Sequence, residues 1–323
     1  MNPRGPVDSS QESLRALLSS FPKKRIGVAG DVMLDIFSRG RSERLSPEAP
    51  VPVVISESEQ YIPGGAANAA CNVRALGGAV DVFGVVGDDE RGRMLISMVQ
   101  ELGIDAHILI DAKRPTTTKQ RIVAANRHLL RIDWESVEPI SEDAARAEAL
   151  RIVERMSQWD ALIIADYAKG YLTEGMIRTV MDAARARSLP VIVDTKPSHV
   201  QFFGMAHLFT PNLKEACAMA GCEDVIEAGR SLAVRLQTPT LITRGPDGMT
   251  LFDAEGTHHL PTRATEVVDV SGAGDTVVAA AALAIASGAT LVEAMELANI
   301  AAAIAIGKAG TSTVSVSDLQ KLL

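Results

Sequence analysis

The sequence predicts an α/β protein built on a mostly parallel central sheet with helices on both of its faces. Short apolar runs rich in Val and Ile alternate with segments of helical periodicity, which is the order that parallel strands and crossover helices produce. Most of these runs are apolar at consecutive positions, as expected for strands that helices cover on both sides. The predicted strands are residues 26–30, 80–86, 161–165, 190–194, 207–210 and 240–243.

Crossover helices are predicted at residues 141–159 and 173–188. Ser141 is a typical N-cap, and two acidic residues follow it in the first turn, where negative charge stabilises a helix. The apolar run at residues 277–286 is far shorter than the roughly 20 residues that a membrane span requires. We therefore expect it to be a buried core helix and the protein to have no membrane partner.

Two segments, residues 41–57 and 116–133, depart from the alternation of strands and helices. The first contains three prolines; in the second, apolar and polar residues nearly alternate, and Asn126-Arg127 could form a turn. We expect both segments to be strands of a small separate sheet, which would form a lid if it projects from the ligand-binding edge of the core. Because no repeat or linker divides the sequence, residues 1–323 are interpreted as a single domain.

The composition argues against several classes of protein. With 323 residues and 47% hydrophobic content, the chain can bury a large core without disulfides or a structural metal. Its net charge of −8 argues against a nucleic-acid partner, which would require a basic face. The three cysteines contain no CxxC pair, which argues against a zinc site and favours a reducing compartment. We expect a cytoplasmic protein, since no signal-peptide pattern precedes the first strand.

The segment at residues 269–276 carries the strongest chemical signal, because Gly272 and Gly274 stand directly before an acid that opens an alanine-rich helix. The first N–H groups of a helix have no partner within it, and glycines let them close around an anion. Asp275 would then lie beside a transferring phosphate and accept the proton of a substrate hydroxyl. The alternative is a glycine turn followed by an acid that only stabilises the helix start.

Other well-known signatures of nucleotide chemistry and hydrolysis are missing from the sequence. Gly30 is not followed by G-x-G-x-x-G, and Gly307-Lys308 lacks the spacing and the Ser/Thr of a P-loop. The sequence also contains neither H-E-x-x-H nor G-x-S-x-G, which weakens metalloprotease and α/β-hydrolase interpretations.

Several motifs, taken in order, resemble those of ribokinase-like (PfkB-type) sugar kinases over about residues 26–315. They are residues 30–35 (GDVMLD), 63–68 (PGGAAN), 210–215 (TPNLKE), 243–245 (TRG) and 269–276 (DVSGAGDT). Within that family the chain is most similar to heptose 7-phosphate kinases. This second resemblance is carried by residues 46–54, 129–133, 166–170 and 307–314. The resemblance implies a ribokinase-like fold with a small β lid.

The resemblance implies roles on the sugar side of the site. Asp275 would be the base, and the backbone of Gly272, Ala273 and Gly274 would surround the transferring group. Sugar hydroxyls would be bound by residues that also have a structural interpretation as a turn, a helix start or a solvated loop. These are Asp31, Asp35, Gly64, Gly65 and Asn68.

On the nucleotide side, the resemblance implies that Arg244, Gly245 and Gly248 lie near the phosphates of ATP and that Asn299 and Ala302 flank adenine. Ordinary helix packing is the alternative for the last two. Glu215 would approach Mg²⁺ through water, although Asn212 and Glu215 also have the spacing of a capping box. A monovalent cation such as K⁺ could be held by residues 310–315 together with Asp269 and Ser271.

A substrate that already carries a phosphate requires further cations. Candidates in the proposed lid and in the loop after the 161–165 strand are Lys119, Arg121, Arg127, Arg131 and Lys169, of which Arg131 and Lys169 lie in the subfamily motifs. A solvated strand face is the alternative for these charges. Exposed lid strands could also pair between two protomers, so we expect a homodimer.

The resemblance therefore implies ATP-dependent phosphorylation of the anomeric hydroxyl of D-glycero-D-manno-heptose 7-phosphate. Three alternatives remain open at this point: another sugar or nucleoside kinase of the same fold, a catalytically silent sugar-phosphate sensor, and a dehydrogenase. The missing dinucleotide motif weakens the dehydrogenase, and the intact Asp275 and Glu215 weaken the sensor.

Overall fold

The computed structural model describes residues 10–124, 127–264, 266–308, 310 and 312–323. The described strands are β1 (Arg25–Gly30), β2 (Val32–Leu45), β3 (Pro52–Gly65), β4 (Ala79–Val86), β5 (Asp105–Ile110), β6 (Thr118–Ala124), β7 (Arg127–Trp134), β8 (Ala161–Asp166), β9 (Val191–Thr195), β10 (Leu208–Phe209), β11 (Thr240–Thr243), β12 (Met249–Asp253) and β13 (Gly256–Leu260). The described helices are α1 (Gln11–Ser20), α2 (Ala66–Ala75), α3 (Glu90–Glu101), α4 (Glu142–Arg155), α5 (Glu174–Ala186), α6 (Leu213–Ala220), α7 (Val225–Leu236), α8 (Ala273–Ala286), α9 (Leu291–Ile306) and α10 (Val316–Leu322).

The large sheet confirms the predicted α/β class. Its strands follow the order β13-β12-β11-β10-β9-β8-β1-β4-β5 in the described part of the chain. Neighbours from β11 to β5 run parallel, and among the described strands of this sheet only β12 runs antiparallel to them, pairing with β11 on one side and with the edge strand β13 on the other. Each of the six predicted strands corresponds to a strand of this sheet. Three further strands were not predicted: the edge strands β5 and β13, which carry polar or half-exposed residues, and β12, a short strand that is mostly buried.

The core confirms that helices cover both faces of the sheet. Along β8, Ile163 packs into a cluster with α2, α8 and α9, whereas its neighbours Leu162 and Ile164 pack into a second cluster with α4, α5 and α7. This alternation follows from the two-residue period of a strand. The predicted core helix is α8, which is buried from residue 275 to residue 285. In the described residues no helix is long and apolar enough to cross a bilayer.

The predicted helix starts are also present. Ser141 accepts a hydrogen bond from Ala144 N at the start of α4, and Thr173 accepts one from Met176 N at the start of α5. These side chains satisfy backbone donors that have no partner within the helix.

A second, smaller sheet has the strand order β3-β2-β6-β7. Its main feature is a long antiparallel hairpin, in which β2 and β3 have 14 residues each. Residues 41–57 form only the far end of this hairpin, because β2 begins at Val32 and β3 ends at Gly65. The second segment contains β6 and β7; Asn126, expected in its turn, lies outside the described residues. The hairpin leaves the core directly after β1 and returns directly into α2.

Candidate active site

The carboxyl ends of β1, β8 and β9 lie at one edge of the large sheet, because these strands run parallel. In such sheets this edge is where ligands bind. Three polar or charged residues stand where these strands end or immediately after them: Asp31 follows β1, Tyr167 follows β8 and Lys196 follows β9. The small sheet is attached at the same edge, since β2 begins one residue after Asp31.

The start of α8 reaches this edge and places Asp275 in its first turn. Gly272 is the N-cap and has a φ of +76°, a conformation that favours glycine, and the helix start has no side-chain cap. A Cβ added to Gly274 would meet no atom within 4 Å. The glycines thus leave the helix N-terminus with open space before it, which suits an anion.

The carboxylate of Asp275 is buried, with 7% of the residue exposed, and it accepts two hydrogen bonds from neutral donors. Asn68 Nδ2 donates to Oδ2 at 2.6 Å, and the Tyr167 hydroxyl donates to Oδ1 at 2.7 Å. Burial raises the pKa of Asp275 to about 6, while these two hydrogen bonds oppose the rise. A carboxylate with such a pKa is suited to accept a proton near neutral pH.

A buried polar chain behind Asn68 fixes its orientation. Asn72 Nδ2 donates to the side-chain Oδ1 of Asn68 at 3.3 Å and to its backbone carbonyl oxygen at 3.0 Å, and Thr276 donates its hydroxyl proton to Asn72 Oδ1 at 3.0 Å. All three side chains are at most 2% exposed. These hydrogen bonds link α2 to α8, so the predicted sugar-pocket residue Asn68 is connected to the helix that carries the predicted base.

Asp31 organises the loop after β8. Its carboxylate accepts hydrogen bonds from the backbone N–H groups of Tyr167, Lys169 and Tyr171 at 2.9, 3.0 and 3.2 Å. Burial raises the pKa of Asp31 to about 6, against the effect of these donors. The side chain therefore already serves a structural purpose, and its contact with sugar hydroxyls stays a prediction.

The glycines predicted for the sugar pocket allow a close approach of neighbouring groups. A Cβ on Gly64 would lie 2.5 Å from Asp35 Oδ2, and a Cβ on Gly65 would lie 2.4 Å from the Asp31 carbonyl oxygen. Gly65 also has a φ of +57°. Asp35 forms an ion pair of 2.5 Å with Arg121 of β6, so one of the candidate cations is engaged next to the proposed pocket.

Asn212 and Glu215 form the capping box that their spacing predicts. Asn212 Oδ1 accepts from Glu215 N, and Glu215 Oε2 accepts from Asn212 N. The other oxygen of Glu215 accepts from Lys196 Nζ at 2.6 Å. Burial, followed by the charge of Glu215, raises the pKa of the nearby Asp194 to about 7. The capping interpretation and a charged role for Glu215 are therefore compatible, because different oxygens serve each.

An apolar cavity of about 320 Å³ opens beside the start of α8. Its lining includes several predicted nucleotide and anion-binding residues, among them Ala273, Gly274, Gly245, Gly248, Asn299 and Ala302. Gly248 has a φ of +82°, and a Cβ there would meet Leu260 O at 2.1 Å. The Asn299 amide donates to Pro261 O at 2.8 Å, which holds the wall of the cavity. The size and apolar lining suit a flat heteroaromatic base.

Arg244 lies between Thr243 and Gly245, which both line this cavity. It does not belong to the described lining of the cavity; its Nη1 donates to Thr250 Oγ1 at 3.3 Å, and its Nη2 lies 3.7 Å from a carboxylate oxygen of Asp247. Because a guanidinium has five N–H donors, these contacts leave donors for a phosphate, and the phosphate role of Arg244 stays a prediction.

The candidate phosphate-binding cations form a cluster with two carboxylates. Lys119 Nζ lies 3.1 Å from Asp133 and 3.2 Å from Glu135, and Lys169 Nζ lies 2.8 Å from Glu135. Arg131 pairs with Asp133 at 2.9 Å and is more exposed. The structure thus brings together Lys119, Arg131 and Lys169, which we call the cationic cluster, at the base of the small sheet.

The candidate monovalent-cation residues lie close to one another. Asp269 Oδ1 accepts from Ser271 N at 2.9 Å, and its Oδ2 accepts from Gly310 N at 3.2 Å. Thr311 of the same predicted segment lies outside the described residues. Among the residues that the structure describes, no three His, Cys, Asp or Glu side chains form a group suited to a metal ion.

Sequence reasoning missed two side chains at this site. Tyr167 lies in the subfamily motif 166–170, so its position was marked, but nothing in the motif shows that its hydroxyl reaches Asp275. Lys196 stands in an Asp-Thr-Lys sequence whose lysine gave no separate signal. Their contacts join residues that are distant in the sequence: Tyr167 and Asp275 are 108 positions apart, and Lys196 and Glu215 are 19 positions apart.

Comparison with known proteins identifies the family of the chain. The model of the pfkB family carbohydrate kinase matches residues 23–318. A protein of Caulobacter vibrioides named bifunctional protein HldE is 42% identical over 318 residues, covering 95% of this chain and 65% of that protein. The protein of the same name from Geobacter metallireducens is 44% identical over 300 residues, covering 90% of this chain and 61% of its own length. The chain thus spans less than two thirds of these relatives.

Solved structures share the fold at lower identity. Phosphofructokinase-2 from Escherichia coli in complex with potassium superposes with a TM-score of 0.76 at 20% identity, covering 92% of this chain and 97% of that one. Ribokinase from Arabidopsis thaliana complexed with ribose and ATP gives a TM-score of 0.73 at 19% identity, covering 93% and 98%. These likenesses confirm the predicted ribokinase-like fold.

Proposed function

The chain belongs to the pfkB family of carbohydrate kinases, and we propose that it transfers the γ-phosphoryl group of ATP to the anomeric hydroxyl of D-glycero-D-manno-heptose 7-phosphate. The products are the 1,7-bisphosphate and ADP. Similarity to the bifunctional HldE proteins and the subfamily motifs support this choice of substrate. The place of the reaction would be the cytoplasm, where Cys71, Cys217 and Cys222 would stay reduced.

One observation carries the proposal: a buried carboxylate and an open helix N-terminus occur at adjacent residues. Gly274 lines the apolar cavity, while Asp275 is directed to Asn68 and Tyr167 on the side of the predicted sugar pocket. A nucleotide base in the cavity and a sugar beside Asn68 would therefore meet at the start of α8. Phosphoryl transfer depends mainly on such positioning and on electrostatic stabilisation.

In the proposed reaction Asp275 accepts the proton of the anomeric hydroxyl as that oxygen forms its bond to the γ-phosphorus. The bond between the γ-phosphorus and the bridging oxygen breaks, and its electron pair leaves with ADP. The proton is then released from Asp275 to solvent. The backbone N–H groups of Gly272, Ala273 and Gly274 stabilise the charge on the transferring group.

The residues present fit ATP and Mg²⁺. The cavity of about 320 Å³ is large enough for adenine, and the open N-terminus of α8 suits phosphate. Mg²⁺ commonly keeps several waters and uses one or two carboxylates with substrate phosphates, so Glu215 could approach it through water without a full protein cage. When bound, Mg²⁺ would neutralise charge on the ATP phosphates. The loop at Asp269 and Ser271 is the proposed place for K⁺.

The cationic cluster is proposed to bind the 7-phosphate. Glu135 holds Lys119 and Lys169 by one oxygen each, at 3.2 and 2.8 Å, so the two ammonium groups are already gathered around one anion. A phosphate offers more acceptor oxygens and more charge than this carboxylate. We propose that it displaces Glu135 and that the small sheet then acts as a lid that excludes water.

The small sheet is also the proposed surface of a homodimer. Apolar side chains on its strands are exposed, including Leu45 at 63%, Ile55 at 46% and Leu130 at 57%. Covering this surface with a second copy would protect both the apolar groups and the edge strands.

An ADP-release assay with a panel of acceptors tests the proposed function. We expect rapid ATP-dependent ADP formation with heptose 7-phosphate and at least tenfold lower kcat/KM with the same heptose lacking its phosphate. A preference for an unphosphorylated sugar or a nucleoside would identify a different kinase of this family. No ADP formation with any acceptor would favour a silent sugar-phosphate sensor and would contradict the proposal.

A further inference from the structure

We propose that Tyr167 is a positioning residue that holds the Asp275 carboxylate in the orientation required to receive the substrate proton. This inference rests on the proposed function. It concerns a side chain to which the sequence motifs assign no role.

The geometry around Asp275 carries the inference. Tyr167 donates to Oδ1 at 2.7 Å and Asn68 donates to Oδ2 at 2.6 Å, so each carboxylate oxygen has one donor, and the two donors come from different elements. Two such bonds fix the rotation of the carboxylate about its last torsion. Because a carboxylate oxygen can accept two hydrogen bonds, a lone pair on each oxygen stays available for a substrate hydroxyl.

Tyr167 is itself held in place. Its backbone N–H donates to Asp31 Oδ2 at 2.9 Å, and the next residue, Ala168, has a φ of +54° and donates to Asp166 Oδ1 at 2.9 Å. A positive φ is unfavourable for alanine, so these carboxylates stabilise a loop that would otherwise relax. Lys196 Nζ lies 5.1 Å from the centre of the Tyr167 ring. These contacts therefore fix the position of the Tyr167 hydroxyl beside Asp275 Oδ1.

The chemistry of the hydroxyl suits this role. Burial, followed by the charge of Asp275, raises the pKa of Tyr167 well above its ordinary value, so the phenol stays protonated and remains a donor throughout the working pH range. A base whose neighbour cannot compete for the proton keeps its function when the substrate arrives.

Several other groups influence the charge on Asp275 from the elements around it. Asp35 on β2 raises its pKa and Lys196 after β9 lowers it. The charge of Asp275 in turn contributes to the raised pKa of Asp194 and of Cys71 on α2. Among these contacts, the Tyr167 and Asn68 hydrogen bonds stabilise the ionised form directly. Loss of the Tyr167 hydroxyl should therefore move the protonation of the base to higher pH.

The test is the pH dependence of kcat/KM for Tyr167→Phe. We expect kcat to fall about tenfold or more, since a hydrogen bond to a charged group contributes roughly 1.5–3 kcal/mol. The KM for the sugar phosphate should change little, and the acidic limb of the profile should move to higher pH. A structural loss alone would not move that limb.

Tyr171→Phe is the matched control, because Tyr171 is a tyrosine of the same loop whose buried hydroxyl donates to Glu148 at 3.0 Å, away from the base. A Tyr167→Phe profile that superimposes on that of Tyr171→Phe would overturn the inference. If Tyr167→Phe fails to fold, site-specific 3-fluorotyrosine at position 167 gives a stronger donor, and the limb should move to lower pH. An unchanged limb would overturn the inference, whereas full activity of Asp275→Asn would overturn the proposed function instead.

Discussion

Asp275 and Lys119 both carry a charge that the proposed reaction uses, but the protein surrounds these charges differently. Asp275 is buried and its hydrogen-bond donors, Asn68 and Tyr167, are neutral. Lys119 lies on the small sheet and is paired with two carboxylates, Asp133 and Glu135. Among the described residues, the carboxylate of Asp275 thus has no cationic hydrogen-bond partner, and its pKa is raised. The charge of the Lys119 ammonium group is instead balanced by two carboxylates until a ligand competes for it.

This difference separates rate from affinity. The pKa of a buried carboxylate with neutral partners depends strongly on each neighbouring group, because little water is present to screen their effects. A partly exposed ion pair contributes little stability, so exchanging one anion for another costs little. Changes at the start of α8 should therefore act on kcat, and changes in the cationic cluster should act on KM for the sugar phosphate.

The largest effect is expected for Asp275→Asn. Removal of a general base should lower kcat by about 10²–10⁴-fold while nucleotide binding persists, because the helix N-terminus and the cavity are unchanged. Initial rates of ADP formation and equilibrium nucleotide binding measure the two quantities. Asp182→Asn, which removes an exposed carboxylate paired with Arg185 on α5, is the control. A kcat within tenfold of the wild type would contradict the assignment.

Lys169→Met should raise the KM for heptose 7-phosphate by about 10–100-fold, as expected for the loss of a charge-assisted hydrogen bond. The kcat at saturation and the kinetics with unphosphorylated heptose should change little. Arg178→Met on α5 removes a cation of an exposed ion pair and serves as the control. Equal losses with both sugars would place the effect of Lys169 on the loop rather than on the phosphate.

Glu215→Gln separates the capping box from the charge. Gln can satisfy the same N-terminal donor, so the protein should remain folded, while turnover should fall by roughly tenfold or more because the charge near the ATP phosphates is lost. Glu293→Gln is a matched control, since Glu293 closes a capping box with Thr290 on α9. Near-normal activity of Glu215→Gln across a Mg²⁺ titration would reject the metal role.

The pH dependence should show a smaller effect. The pKa of Asp275 is raised to about 6, so the base is ionised above that pH and protonated below it. Since only the ionised form accepts a proton, kcat/KM should be lost as the pH falls through about 6, by roughly tenfold for each further unit. A profile that stays flat from pH 8 to pH 5 would be inconsistent with this base. Residual activity of Asp275→Asn should lack the limb.

The sequence predicted the architecture better than the contacts of the site. Strands such as β1 and β8 are continuous apolar runs, a local signal that survives any tertiary arrangement. The edge strand β13 has no such signal, because it reads Gly-Thr-His-His-Leu and its stability comes from pairing with β12. A period of two or 3.6 residues reveals a strand or a helix, but not its neighbours at an edge.

Individual residues of the site show the same limit. The two glycines before Asp275 and the Asn212–Glu215 spacing are local patterns, so they could be recognised in the sequence. The bond between Asn68 and Asp275 joins residues 207 positions apart, and no local pattern encodes it. The pairing of Lys119 with Glu135, and the turning of Arg244 toward Thr250, also depend on side-chain packing that the motifs do not describe.

The most direct test of the account is ³¹P NMR of a reaction containing the protein, ATP, Mg²⁺ and heptose 7-phosphate. We predict a new phosphate resonance coupled to the anomeric proton, formed in step with ADP and at least a hundredfold more slowly with Asp275→Asn. Release of inorganic phosphate in step with ADP, transfer to another hydroxyl, or an undiminished rate in Asp275→Asn would contradict it.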